Sequence, residues 1–217
     1  MTLARALVLV LLLVAPAARW ARAAEPTREE ALQALAGAAD AEARQRAVRW
    51  LAEKGAMEDI PALVQALRDV DSRVRAFAEN AMWQVWSRSG DATIDRLFAT
   101  GLEQMQARQG DEAVDTFSEI IRRRPEFAEG WNKRATVYYL LGEYKKSLAD
   151  CDEVMKRNPY HFGALSGYGM IYMQLDQPAT ALEYFEQALR VNPNLESTRQ
   201  TIEILKTLLI QRRKDTI

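Results

Sequence analysis

A regular repeat organises the second half of the chain. Pro125, Pro159 and Pro193 are evenly spaced, and each follows an apolar stripe of helical spacing. Proline biases the residue before it away from the helical conformation, so each one predicts a helix end. Five other sets of positions share the interval, namely Leu97, Trp131 and Leu165; Gly101, Ala135 and Gly169; Ala113, Ser147 and Ala181; Phe117, Cys151 and Phe185; and Ile120, Val154 and Ala188. This recurrence predicts an array of stacked helical units.

The order of large, small and proline positions resembles the tetratricopeptide repeat, a helix hairpin of about 34 residues. We place three copies at residues 94–127, 128–161 and 162–195. The second copy departs from the pattern at Cys151, where an aromatic residue is usual. After the last copy, residues 196–213 are predicted to form a helix that covers the open end of the array with Ile202, Leu205 and Leu209.

The first part of the chain, residues 24–90, also reads as helical. Apolar residues recur there at intervals of three and four, without the two-residue alternation of strands. Four short helices are predicted, with a capping box at Thr27 and caps at Asp40, Asp59 and Asp71. Short connections between such helices favour antiparallel hairpins.

Residues 57–85 resemble a short HEAT repeat through the corner 67–75, which reads LRDVDSRVR. Residues 28–54 are similar to a degenerate copy that lacks the Asp-x-Asp corner. The resemblance implies that Asp69, Asp71 and Arg75 tie neighbouring repeats together. The predicted fold is therefore an all-α, right-handed α-solenoid of HEAT-like hairpins at 24–90 and a TPR domain at 91–217.

Residues 1–23 are predicted to be an export signal. The apolar run at 6–18 is shorter than the roughly 20 residues that a spanning helix needs, and Ala21-Arg22-Ala23 matches a cleavage site. We expect cleavage after Ala23, no stable membrane span afterwards, and a location in the bacterial periplasm. Because Arg19 and Arg22 oppose the positive-inside bias, an uncleaved anchor is the alternative.

Composition narrows the classes of function. The chain has 29 basic and 30 acidic residues, so it lacks the basic excess that nucleic-acid binding usually needs. A single His and a single Cys offer little for catalysis, and we expect no enzyme activity, metal or cofactor. His161 is interpreted as a surface or packing residue, and Cys151 as a buried one.

The TPR resemblance implies a concave groove lined by the first helix of each repeat. The partner-binding residues at the matching positions are Phe98, Leu102, Met105, Asn132, Tyr139, Met170 and Met173. Methionine adapts to irregular partners, which suits an apolar peptide or helix. The alternative is that some of these residues pack against the N-terminal hairpins or the last helix.

Two further sequence features bear on partners. The positions that would grip a terminal carboxylate hold Phe98, Leu102, Lys133 and Gly163, so acidic tails are not expected ligands. Trp83 and Trp86 are expected to pack between the two repeat types. The leading function is a non-catalytic scaffold that binds a peptide or protein partner. Self-association through the hairpins or the last helix is the alternative.

Overall fold

The structure, a computed structural model, describes residues 26–37 and 40–215, and this part of the chain contains helices without strands. The predicted export signal lies outside the described residues. The helices are α1 (Arg28–Ala36), α2 (Ala41–Lys54), α3 (Ile60–Ala66), α4 (Ser72–Trp86), α5 (Ala92–Gln106), α6 (Gly110–Arg123), α7 (Ala128–Leu140), α8 (Tyr144–Arg157), α9 (Phe162–Gln174), α10 (Pro178–Val191) and α11 (Glu196–Asp215). The all-α class predicted from the sequence is confirmed.

All four N-terminal helices begin directly after the predicted cap residues, and in three of them the side chain of that residue bonds the first turn. The Thr27 amide donates to the Glu30 carboxylate at 2.7 Å, and the Thr27 hydroxyl accepts from the Glu30 amide, which completes the capping box. Asp40 accepts from an amide in the first turn of α2 at 2.7 Å, and Asp71 caps α4 in the same way. These side chains satisfy amides that have no partner within the helix.

The prediction that Asp59 caps α3 is wrong. Residues 57–59 form a 3-10 turn that runs directly into α3, so Asp59 has a helical backbone and not the extended one of a cap. Its buried carboxylate turns back, accepts from the Ala56 amide at 2.9 Å and accepts from Arg28 Nε at 2.8 Å. The carboxylate therefore ties the turn to α1.

The N-terminal helices form two hairpins, α1 with α2 and α3 with α4, and α2 packs beside α4. At the 67–75 corner, Arg44 Nε lies 2.6 Å from Asp69 Oδ2, and Arg75 donates to the Asp69 carbonyl at 2.8 Å. Asp69, Asp71 and Arg75 thus make structural contacts, as the resemblance implies. Membership of the HEAT class stays a prediction.

Each of the three copies is a hairpin: α5 with α6, α7 with α8, and α9 with α10. A Cβ added at Gly101 would lie 2.6 Å from the Phe117 ring, and one at Gly169 would lie 2.7 Å from Phe185. Glycine is therefore required where each phenylalanine crosses the partner helix. In the second copy the pair is Ala135 and Cys151, both buried, so a smaller residue on α8 makes room for the methyl group of α7.

The N-terminal hairpins pack against the second and third copies and share a core with them. Trp86 of α4 belongs to the same buried cluster as Phe162 and Leu165 of α9 and Ala188 of α10. The corner before α4 also contacts the loop before α11, where Asn194 Nδ2 donates to the Leu67 carbonyl at 2.8 Å. Both repeat types thus form one packed body.

The last helix, α11, packs on α10 as predicted. Ile202 and Leu205 are buried against Ala181 and Phe185. Because each hairpin leaves an apolar face for its neighbour, the final hairpin needs such a cover.

Candidate functional site

A cavity of about 150 Å³ opens between the second and third copies, and we call the surface around it between α7 and α9 the groove. It brings together three predicted groove residues, Asn132 and Tyr139 of α7 and Met170 of α9. Met170 is 44% exposed and marks the side on which the cavity meets solvent. The rest of the lining is small or apolar and consists of Ala135, Thr136, Ser147, Cys151, Gly163, Ala164, Ser166, Gly167 and Ile171.

The other predicted groove residues lie elsewhere. Phe98 is 6% exposed, and its ring packs against Phe117 and Phe127, so it belongs to the core of the first hairpin and not to an open surface. Leu102 and Met105 are half-buried against the same core. Met173 is exposed but does not line the cavity.

A buried polar pair lies at the edge of this groove. Glu129 of α7 is fully buried, and its Oε1 lies 2.5 Å from His161 Nε2. His161 Nδ1 accepts from the Ala164 amide at 2.9 Å and thereby caps α9. Since Nδ1 is an acceptor, we assign the ring proton to Nε2, which donates to Glu129.

Three partners hold Glu129 in its ionised form. Burial alone raises the pKa of a carboxyl group, but here the contact with His161, the charge of Lys133 and the hydrogen bonds from Asn132 lower the pKa of Glu129 below its ordinary value. Asn132 Nδ2 donates to both carboxylate oxygens, at 3.2 and 3.1 Å. The amide of Asn132 is therefore oriented, and its Oδ1 is left to accept. A pairing across repeats has no signature in the sequence, so sequence reasoning missed it.

Trp83 and Trp86 close this edge of the groove. The Trp86 ring stacks on His161 with centroids 4.4 Å apart, and Trp83 meets Phe162 edge-on at 5.3 Å. A Cβ at Gly163 would lie 2.6 Å from Trp83, so this glycine permits the contact. The interpretation of both tryptophans as packing residues between the repeat types is confirmed.

Comparison with protein-family models matches residues 98–162 and 162–195 to the tetratricopeptide repeat. A TPR repeat-containing protein of Rhizobium etli is 30% identical over 141 residues, which span 65% of this chain and 69% of that relative. The chain belongs to the tetratricopeptide repeat family.

Two further proteins are similar to this TPR protein. The outer membrane protein assembly factor BamD of Caulobacter vibrioides is 27% identical over 121 residues, or 54% of this chain and 36% of BamD. The solved structure of the first TPR domain of Spaghetti, bound to an HSP90 peptide, has a TM-score of 0.53 at 21% identity. It covers 55% of this chain and 96% of that domain, and it supports the fold alone.

The positions that would grip a carboxylate are already engaged in this TPR protein. Lys133 Nζ lies 3.4 Å from Glu129 and 5.5 Å from the centre of the Trp83 ring. Phe98 is buried, and Gly163 lies under Trp83. Lys133, the one basic residue among these positions, is therefore already paired within the protein.

The remaining reactive groups of the TPR domain have packing roles. Cys151 is buried, and burial together with Asp150 and Asp152 raises the pKa of its thiol to about 12.

In residues 26–37 and 40–215, no three His, Cys, Asp or Glu side chains are arranged to hold a metal ion. Across the same residues, no helix has the length and apolarity needed to cross a membrane.

Proposed function

We propose that this TPR protein is a non-catalytic scaffold that binds an extended peptide or a segment of a protein partner in the groove between α7 and α9. The observation that carries the proposal is the open cavity on this face, where Asn132, Tyr139 and Met170 converge. An open apolar recess with a few oriented polar groups is the usual form of a binding site.

The groove offers what an extended peptide needs. Asn132 presents an acceptor, since Glu129 occupies its amide donors. The Tyr139 hydroxyl, which accepts from Gln174 Nε2 at 3.4 Å, has a proton to donate. An extended backbone carries both donors and acceptors, and Met170 can adapt to its side chains.

A protein of similar fold binds a peptide that differs in chemistry from the ligand proposed here. The TPR domain of Spaghetti holds the HSP90 peptide SRMEEVD, which is acidic. Here Lys133 is paired with Glu129, so we propose a ligand without a terminal acidic cluster.

The test is a double substitution in the groove. Tyr139→Ala combined with Met170→Glu should abolish partner capture in cross-linked cells while the circular dichroism of the helices is unchanged. Ile204→Glu is the matched control, because Ile204 is an exposed apolar residue on α11, away from the groove. Capture that survives the double substitution would remove the groove from the account.

Self-association is the second candidate function. Ile204 and Leu208 lie one turn apart on the outer side of α11, and 66% of Ile204 is exposed. Two copies of this face would bury each other's apolar surface. Light scattering distinguishes the candidates, since a mass that stays monomeric at all concentrations eliminates this one.

We also propose that the protein is exported to the periplasm. The apolar run and cleavage pattern within residues 1–23 support this proposal, and similarity to BamD, an outer membrane protein assembly factor, is in keeping with it. The intact mass of the protein should correspond to cleavage after Ala23. The full-length mass in a membrane fraction would favour the uncleaved anchor.

A further inference from the structure

Two of the residues that line the cavity are smaller than their counterparts in the other copies. Cys151 stands where Phe117 and Phe185 fill the equivalent space in the first and third copies. Gly167 of α9 stands where the other copies have Ala99 and Lys133. Together they remove side-chain volume from the same place, since both line the cavity.

Packing does not explain the glycine at 167. A Cβ there would meet only the Cys151 Sγ at 3.8 Å, an ordinary contact, whereas a Cβ at Gly163 or Gly169 would lie within 2.7 Å of an aromatic ring. Glycine inside a helix is less stable than alanine. A residue that lowers stability without a structural need is typical of a position kept for function.

The lining defines the chemistry of the occupant. None of the residues that line the cavity carries a charged side chain, and its buried apolar lining consists of Ala135, Ala164, Ile171 and the neutral thiol of Cys151. A cavity of about 150 Å³ is too small for an average ligand site. Apolar cavities of this size hold one benzene-sized group.

We propose that this cavity, which we call the side-chain socket, receives one uncharged apolar side chain, of leucine to phenylalanine size, from the bound peptide segment. The inference rests on the proposed function and adds a specificity to it. Asn132 and Tyr139 line the socket, and we expect them to bond the peptide backbone on either side of the inserted residue.

The direct test uses capped tripeptides as probes in amide NMR titrations of the labelled protein. Acetyl-Gly-Phe-Gly-amide should shift the amides of Gly163, Ser166 and Gly167 in a saturable way. Acetyl-Gly-Glu-Gly-amide should bind at least about 10-fold more weakly, because burial of one large apolar side chain is worth that much.

Filling the socket from within gives the sharper test. Gly167→Ala should raise Tm by about 2–4 °C, because it restores helix propensity without a clash. Gly167→Leu should weaken binding of the Phe tripeptide at least about 10-fold. Ala99→Leu is the matched control, since it adds the same side chain at the equivalent, exposed position of the first copy and should leave binding unchanged.

Three results would overturn the socket: equal affinity for the Phe and Glu tripeptides, no saturable shifts at the socket amides, or full binding by Gly167→Leu. The first two comparisons use the unsubstituted protein, so they hold even if a variant fails to fold. Failure of the proposed function is a separate outcome. Suppose that Tyr139→Ala with Met170→Glu abolishes partner capture but the Phe tripeptide causes no saturable shifts at the socket amides. The groove then binds the partner without using the socket.

Discussion

Pairs of facing residues set how closely the two helices of each hairpin approach. The pairs are Gly101 with Phe117, Ala135 with Cys151, and Gly169 with Phe185. A phenylalanine ring leaves room only for glycine on the facing helix, whereas the smaller thiol of Cys151 leaves room for alanine. The departure of the second copy from the aromatic pattern is thus matched by its partner.

This matching predicts a compensated pair of substitutions. Cys151→Phe alone should lower the free energy of unfolding by about 1–3 kcal/mol, because the ring meets the Ala135 methyl group. Adding Ala135→Gly should restore about 1 kcal/mol or more, which a double-mutant cycle in urea measures. Strictly additive effects would show that the two residues do not exclude each other.

Glu129 predicts a pH dependence of stability. Its pKa is depressed below the ordinary value of 4.5 in the folded protein, and His161 and Lys133 are the side chains with basic groups that face it. The stability that this carboxylate contributes is therefore complete above about pH 4.5 and is lost as the pH falls below that value through the lower pKa of the folded protein.

The stability difference between the native protein and Glu129→Gln should narrow by about 1 kcal/mol or more between pH 6 and pH 2. Urea denaturation at a series of pH values measures this difference. A difference that does not vary with pH would mean that Glu129 has an ordinary pKa.

At the scale of the element, helix ends and apolar stripes were readable from the sequence. Thr27, Asp40 and Asp71 begin helices because an isolated acceptor side chain satisfies the first amides. The Asp59 side chain does not cap α3, because a 3-10 turn precedes the helix and the carboxylate accepts from the Ala56 amide of that turn. The same carboxylate also accepts from Arg28 of α1, a contact between distant residues that a local pattern does not contain.

The capping role of α11 gives a prediction with a control at the adjacent position. Leu205→Ala should lower the free energy of unfolding by about 2–5 kcal/mol, because Leu205 is fully buried against the third hairpin. Ile204→Ala, at an exposed position of the same helix, should change it by less than about 0.5 kcal/mol. Chemical denaturation measures both, and equal effects would show that α11 does not cover the hairpin.

At the scale of the whole molecule, the N-terminal hairpins and the repeats share one core. Trp86 and Phe162 are far apart in the sequence, yet their ring centres lie 5.1 Å apart. No periodicity links the two residues, so the sequence predicted that the tryptophans pack between the repeat types but not which repeat they reach. The socket was equally hidden, because Gly167 and Gly169 look alike until their neighbours are known.

The shared core predicts that both parts unfold together. Tryptophan fluorescence and circular dichroism should report one coincident transition for the native protein. Trp86→Ala should lower the free energy of unfolding by about 3–5 kcal/mol. It should also separate the unfolding transition of the N-terminal hairpins from that of the repeats. Two separate transitions in the native protein would show that the interface between them is weak.

The central claim is that a partner binds in the groove between α7 and α9. The most direct measurement places a photo-crosslinking amino acid at Met170, in the groove, and in a second protein at Ile204, on α11. We predict that position 170 yields a covalent adduct with the partner and that position 204 yields none. Addition of the Phe tripeptide as a competitor should reduce the yield of the adduct at position 170. Adducts at position 204 with none at position 170 would contradict the central claim.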